Sequence, residues 1–224
     1  MTQPGVSLDQ VAAPTHEFFE RARARLRLEV PAALDDHSAT AGRGDLDLDD
    51  TLWVKAGVKA TKPAAVLVPV VERSQPMVLL TLRTADLPTH SGQIAFPGGK
   101  IDVTDASPLA AALREAEEEI GLDASLIEPI GYLDLYLTFT GFRILPLVAR
   151  VAPDYRLAIN PSEVAEVFEV PLDFVMEPEN HQRHKRNWKD GIERHYYAMP
   201  FGERYIWGVT AGILRNLYER IYVG

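Results

Sequence analysis

The sequence predicts an α/β or α+β fold on three observations. Two β-branched runs, Ala64–Val71 (AAVLVPVV) and Met77–Arg83 (MVLLTLR), flank the turn-forming ERSQP. One helix with a full set of boundary residues follows between Ser107 and Gly121. Further strand-like runs come after it. Strand, helix and strand with long insertions excludes a helical bundle and points to a sheet covered by helices.

Bulk properties narrow the classes. The chain has 224 residues, 46% of them apolar, enough for one sizeable core. A formal charge of −9 argues against a protein that tracks a nucleic-acid backbone, which needs clustered Lys and Arg. With no cysteine there is no disulfide framework, thiolate metal site or cysteine nucleophile. No stretch approaches the ~18 apolar residues of a membrane span. Neither a secretory leader in MTQPGVSLDQ nor an address signal in the final IYVG is legible, so the expected location is cytoplasmic, with no membrane partner.

Element by element, Thr15–Leu28 reads as an amphipathic helix capped by Thr15, and Asp35–Asp50 as a linker because apolar periodicity gives way to Gly, Asp and Ser. The expected division is thus a helix and flexible linker over 1–50 and a catalytic domain over 51–224. The runs 64–71 and 77–83 are expected to form a hairpin. Further strands are expected at Gln93–Phe96, Ile130–Thr138 and Phe142–Val151, with Thr140 and Gly141 in a turn between the last two. The principal helix has Ser107 at its cap, Pro108 at its first position and Gly121 past its last turn; a final helix covers Val209–Tyr222.

The chemistry concentrates in Arg114–Gly121 (REAEEEIG). At about 100° per residue, Glu115, Glu118 and Glu119 share one arc while Glu117 points elsewhere, and Leu109, Ala112, Leu113, Ala116 and Ile120 form the packing face. Two carboxylates about 6 Å apart repel by roughly 2–3 kcal/mol at an effective dielectric near 20. Arg114 relieves Glu118 at i,i+4 but leaves the Glu115 and Glu119 pair open. A hard divalent cation, Mg²⁺ or Mn²⁺, suits an all-oxygen site shared with substrate phosphates. A Glu-rich run alone is more often a solvated helix face. The adjacent FPGGK (Phe96–Lys100) shifts the balance, because paired glycines let the backbone approach a ligand and offer the Gly99 carbonyl to a metal.

GGKIDVTDASPLAAALREAEEEIGL resembles the box of the Nudix hydrolase family. Arg114, Glu115, Ala116, Glu118, Glu119, Gly121 and Leu122 fill its second half. The first half departs: Gly99 to Arg114 is one residue longer than usual, and Asp105 stands where Glu is typical. The run LLTLRTADLPTHSGQIAFPGG (79–99) is similar to the added signature of the coenzyme A pyrophosphatase branch, and 163–172 and 205–213 also look like that branch. The resemblance implies an α/β/α sandwich with a mixed sheet and a loop-helix-loop box. It implies metal-dependent hydrolysis of coenzyme A, its thioesters or oxidised forms to 3′,5′-ADP and a 4′-phosphopantetheine fragment. Another nucleoside diphosphate derivative, such as ADP-ribose or a dinucleotide, is the alternative substrate, and a non-catalytic nucleotide-sensing module the alternative class. A homodimer is open.

On this basis the expected metal ligands are Glu115, Glu118, Glu119 and the Gly99 carbonyl. Glu118 and Glu119 also serve the reaction, Arg114 orients a glutamate, and Glu163 is the first choice for a base from a distant loop, ahead of Glu166. Arg83, His90, Gly98, Gly99 and Lys100 are the expected substrate contacts. The basic, aromatic segment containing His181, His184, Lys185, Arg186 and Trp188 reads as either a nucleotide-recruiting loop or a solvated insertion. The Trp207–Thr210 turn reads as core packing.

Overall fold

The computed structural model describes residues 14–36, 43–45, 48, 61–86, 91–188, 191 and 193–223. Among them a mixed sheet forms the centre of the molecule. Its spine is the parallel pair β2 (Lys62–Val71) and β8 (Phe142–Val151), in register along all ten residues from Lys62↔Phe142 to Val71↔Val151. Because β2 is covered on both faces, it reads as a continuous apolar run without strand alternation. Outward from β8 lie β6 (Ile127–Tyr132), β7 (Tyr136–Leu137) and β1 (Arg43–Gly44). On the other edge of β2 lie β3 (Met77–Arg83) and β5 (Gly98–Lys100), with β4 (Ile94–Ala95) and β9 (Val164–Pro171) paired to β3.

Two apolar clusters sandwich this sheet. Ala65, Leu67, Leu145 and Leu147 meet Ala111, Ala112, Ala116 and Ile120 of α2 (Pro108–Ile120). Alanines on that face let the helix lie close to the strands. On the opposite face Val68, Val70 and Val148 pack with Phe18, Phe19, Ala22 and Leu26 around α1 (Pro14–Arg25), and with Ile213, Leu214 and Leu217 of a C-terminal helix at Val209–Tyr218. A second sheet of β10 (Gln182–Asn187), β11 (Glu193–Phe201) and β12 (Arg204–Trp207) stands over this face.

Several sequence expectations change. The hairpin is nearly splayed: β2 and β3 pair at Val70↔Val78 and Val71↔Met77, after which β2 takes β5 and β3 takes β9. The expected strand over 130–138 splits into β6, which already starts at Ile127 and carries a bulge between Pro129 and Gly131, and β7, with 133–135 between them. The expected glycine turn is a strand, β5. Within the expected Asp35–Asp50 linker, Arg43–Gly44 form β1, which joins the main sheet, and α1 belongs to the shared core, while the expected boundary at residue 50 lies outside the described residues. The final helix stops at Tyr218 and continues as a π-helical turn, Glu219–Val223. Most of the basic segment, Gln182–Asn187, is strand β10 instead of a loop, with His181 and Trp188 flanking it.

Candidate active site

The boundary residues of α2 behave as their chemistry dictates. Ser107 accepts a hydrogen bond from the Ala110 backbone N–H at 3.1 Å, Pro108 occupies the first turn, and Gly121 adopts φ 66°, left-handed, so its N–H returns to Ala116 and Glu117. Beyond Gly121, the 152–163 connection docks on the helix end: Ala158 N–H donates to Ile120 O and Asn160 N–H to Glu119 O, each at 2.9 Å. This docking brings Glu163 to the box, where its charge raises the proton affinity of both Glu115 and Glu119. Asn160 Nδ2 donates to the Glu163 carboxylate at 3.3 Å.

Glu119 is 2% exposed. It accepts from the Gly98 backbone N–H at 3.2 Å and from Arg83 at 3.4 Å. Burial outweighs both partners and pushes its carboxyl up to about 7. Glu115 is half-buried and shifted upward by the same desolvation, partly offset by Arg114. A Cβ added at Gly99 would stand 2.5 Å from a Glu115 carboxylate oxygen, so only glycine leaves room for this carboxylate against β5.

Arg114 ties the box together. It donates to Asp105 at 2.9 and 3.0 Å, to Glu115 at 3.0 Å, to Glu118 at 2.9 Å and to the Lys100 carbonyl at 3.2 Å. Asp105, the residue that departs from the family pattern, therefore clamps the arginine from outside, and that bond holds its own carboxyl below the ordinary range. The expectation that Glu115 and Glu119 face each other uncompensated is corrected: Arg114 reaches Glu115 as well as Glu118, and Arg83 reaches Glu119. Glu118 is exposed, and Glu117 points away to solvent as expected.

Among the described residues, no three acidic or histidine side chains form a ready ligand group. The donor chemistry nonetheless suits a hard divalent ion. Glu115, Glu118 and Glu119 share one helix arc, every donor is oxygen, and the missing Cβ at Gly99 lets the Glu115 carboxylate lie directly against β5.

On the sheet face opposite α2 lies a cavity of about 940 Å³. Ala64, Val66, Phe142, Ile144 and Tyr136 line one side, Tyr196, Tyr197 and Trp207 another. Arg83, Gly98 and Gly99 belong to both regions: each touches a box glutamate or its carboxylate space, and each lines the cavity. The glycine edge is thus a window between the acidic helix and the cavity. Lys100 also lines it.

Of the expected substrate contacts, His90 lies outside the described residues, while the other four gather at this window. Glu166 is drawn away into a bidentate pair with Arg204, at 2.6 and 3.0 Å. His181 is buried, its Nε2 2.8 Å from the Val175 carbonyl, so it recruits no nucleotide. Trp207 lines the cavity instead of the core, whereas Thr210 is buried as expected and donates to Ile94 O at 2.8 Å. Sequence reasoning missed Arg43, Phe139, Arg183, Arg194 and Arg215, which line the cavity far from the box in sequence. The pairing of β1 with β7 and of β10 with β11, together with the packing of the final helix, brings them together, and no local pattern signals it.

A mixed sheet between helices, a carboxylate-bearing helix end and a nucleotide-sized cavity behind a glycine edge define the class of a phosphate-ester or diphosphate hydrolase. The chain belongs to the Nudix family: the NUDIX domain model matches residues 61–190. It is 41% identical over 163 residues to the uncharacterized Nudix hydrolase NudL of Escherichia coli (strain K12), covering 72% of this chain and 84% of the relative. Among solved structures, the Nudix hydrolase RenU from M. smegmatis is similar at 25% identity with a TM-score of 0.39, covering 50% of this chain and 72% of that one. An Ap4A hydrolase from C. elegans is similar at 18% identity and a TM-score of 0.41, over 49% of this chain and 80% of that one. Membership supports hydrolysis of a nucleoside diphosphate derivative with divalent metal dependence. No helix among the described residues is long and apolar enough to cross a membrane.

Proposed function

We propose that this protein hydrolyses the diphosphate of coenzyme A, its thioesters or its oxidised forms, releasing 3′,5′-ADP and a 4′-phosphopantetheine fragment, with Mg²⁺ or Mn²⁺. The observation that carries this reading is the window itself: Arg83, Gly98 and Gly99 link the box glutamates to a cavity of about 940 Å³ with apolar and aromatic walls. A substrate with one diphosphate and a long neutral arm matches that arrangement; a compact nucleotide leaves most of it empty.

Glu115, Glu118, Glu119 and the Gly99 carbonyl would hold the divalent ion, which when bound would supply charge neutralisation at the diphosphate and activation of water. Arg83 and Lys100 bind diphosphate oxygens at the rim, guanidinium and ammonium both suiting phosphate. Arg114 fixes the glutamate rotamers through its bonds to Glu115 and Glu118 while Asp105 immobilises it. Glu163, beside Glu115 and Glu119, accepts the proton of the attacking water. The apolar walls exclude bulk water from the arm.

The test is product identification by mass spectrometry after incubation of coenzyme A with the purified protein and Mg²⁺ or Mn²⁺ in ¹⁸O-water. The reading expects 3′,5′-ADP and phosphopantetheine, with label in one fragment showing which phosphorus is attacked. Intact coenzyme A, alongside turnover of ADP-ribose or a dinucleotide, would replace it with the broader substrate class.

A further inference from the structure

The second sheet has two unlike faces. Met199 of β11 and Ile206 of β12 stand opposite each other in the register and are fully buried against the core. Side chains alternate along a strand, so Tyr196, Tyr205 and Trp207 take the other face. His184 stands opposite Tyr196 and stacks with it, the ring centres 5.9 Å apart at 25°. Tyr196 in turn meets Trp207 edge to face at 5.5 Å and 68°, and its hydroxyl lies 3.5 Å from that of Tyr205. Trp188, just past β10, ends the series 6.5 Å from Trp207 at 33°.

This row of rings is braced at one end and open at the other. Tyr196 fixes Trp207, whereas Trp188 remains 39% exposed. The two indoles stand near the outer limit of aromatic contact, which runs from about 4.5 to 7 Å, so neither covers the other's face. Trp188, Tyr196 and Trp207 all line the cavity behind the glycine window. The wall also reaches that window. β12 packs against β4, and Thr210, three residues past Trp207, donates to Ile94 O at 2.8 Å, where β4 leads into Gly98. Across the cavity Ala64, Val66 and Ile144 present an aliphatic wall with no ring face.

We propose that Trp188 and Trp207 bind the purine base of the substrate by stacking, which leaves the aliphatic wall to the arm. The inference rests on the coenzyme A reading and deepens it by dividing the substrate between two walls. An indole face selects a planar π-system, and a base offers one whatever its hydrogen-bonding edge. The saturated arm has no face to stack and gains only from apolar area, which Ala64, Val66 and Ile144 supply. Position agrees with chemistry: the base is joined to the diphosphate through a single ribose, so it stays near the window, and Trp207 is the indole placed there. Of the basic, aromatic segment singled out in the sequence, His184 thus braces the platform through Tyr196 and Trp188 completes it.

The test measures, by calorimetry on the full chain with Mn²⁺, the binding of the two product fragments separately: 3′,5′-ADP, which carries the base, and 4′-phosphopantetheine, which carries the arm. Trp188→Leu and Trp207→Leu, each made separately, should weaken 3′,5′-ADP about tenfold, the factor a lost stacking contact costs, and leave 4′-phosphopantetheine within twofold. Trp207→Phe keeps a ring and should retain most of the affinity. With coenzyme A as substrate the leucine variants should raise KM by a similar factor at nearly unchanged kcat. A general loss of structure would weaken both fragments alike, so equal losses overturn the inference. Unchanged binding of 3′,5′-ADP in both leucine variants, or no binding of it by the wild type, also overturns it, and turnover of coenzyme A then keeps the parent reading standing. Coenzyme A left intact while 3′,5′-ADP binds through both indoles has the opposite meaning: the base platform holds and the coenzyme A reading falls.

Discussion

The box and the cavity are two regions of opposite character joined at one glycine edge. The box is acidic, lies on the α2 face, and is built from residues 98–121 plus Arg83 and Glu163. The cavity is largely apolar and aromatic with arginines along its far end, lies on the other face, and draws residues from Arg43 to Glu219. The first is made by local sequence and the second by long-range pairing. Chemistry and selectivity therefore reside in separable parts, and substitutions in each should fail differently.

The largest expected effect falls on the box. Glu119→Gln keeps shape and removes a charge from the candidate metal site, so kcat/KM for the diphosphate substrate should fall by about 10³-fold or more, since a bound ion supplies several kcal/mol of transition-state stabilisation. Steady-state assays at saturating Mn²⁺ check this. A variant retaining a tenth of wild-type turnover would move the metal ligands away from Glu119.

The two glycines of the window separate chemistry from folding more finely. At Gly98, with φ 149°, a Cβ would stand 2.5 Å from Ala65 O and 2.6 Å from the Val66 Cα. Backbone cannot yield cheaply, so Gly98→Ala should cost about 3 kcal/mol in urea unfolding. At Gly99 the obstacle is the far end of Glu115, a movable side chain. Gly99→Ala should leave most of the stability but displace Glu115 and lower activity by about 10–100-fold. Equal stability losses for both variants would mean that Glu115 is as immobile as the β2 backbone.

The contrast in origin explains what the sequence reveals. Ser107, Pro108 and Gly121 delimit α2 because capping and left-handed φ are decided within a few residues, and the Arg114–Glu118 pair follows from helical spacing alone. Phe142–Val151 is legible because its centre, ILPLVA over 144–149, is an unbroken apolar run that suits a strand buried on both faces. The β5 strand is not, since three residues containing two glycines carry no strand preference and depend on β2 for pairing. Arg83 as the partner of Glu119 and the gathering of arginines at the far end of the cavity arise from contacts remote in sequence, while Asp105 as the clamp on Arg114 depends on the path of the loop between them. Neither periodicity nor spacing encodes them.

Removing the metal makes the two regions differ in their pH response. In chelator, the Glu119 carboxyl titrates near 7 in the folded chain against about 4.5 when unfolded. Between those values the folded state binds the extra proton, so Glu119 favours folding below pH ~4.5 and that contribution is lost as pH rises through 7. The difference of two to three pK units corresponds to about 3 kcal/mol. Urea midpoints of the metal-free protein should therefore fall between pH 5 and 7.5, and Glu119→Gln should flatten that slope. An unchanged slope would place the buried proton elsewhere.

The smallest effect expected is at Glu166, and it sharpens the choice of the distant carboxylate. Glu166 and Glu163 lie three residues apart, yet Glu163 sits where its charge is felt by Glu115 and Glu119, while Glu166 is held by Arg204 above the Phe168 ring. The Glu166–Arg204 side chains are 45% and 30% exposed, so solvent screening limits the pair to about 0–1 kcal/mol. Glu166→Gln should accordingly shift the melting temperature little and change kcat/KM by less than about twofold, whereas Glu163→Gln should cost the 10²–10⁴-fold typical of a lost general base. Because both substitutions are isosteric and fall three residues apart at the entry to β9, local unfolding is a poor explanation for any difference between them. A hundredfold loss at Glu166 with near-normal turnover at Glu163 would reverse the assignment. It would require the β9 entry to rotate so that Arg204 releases its partner toward the glycine window.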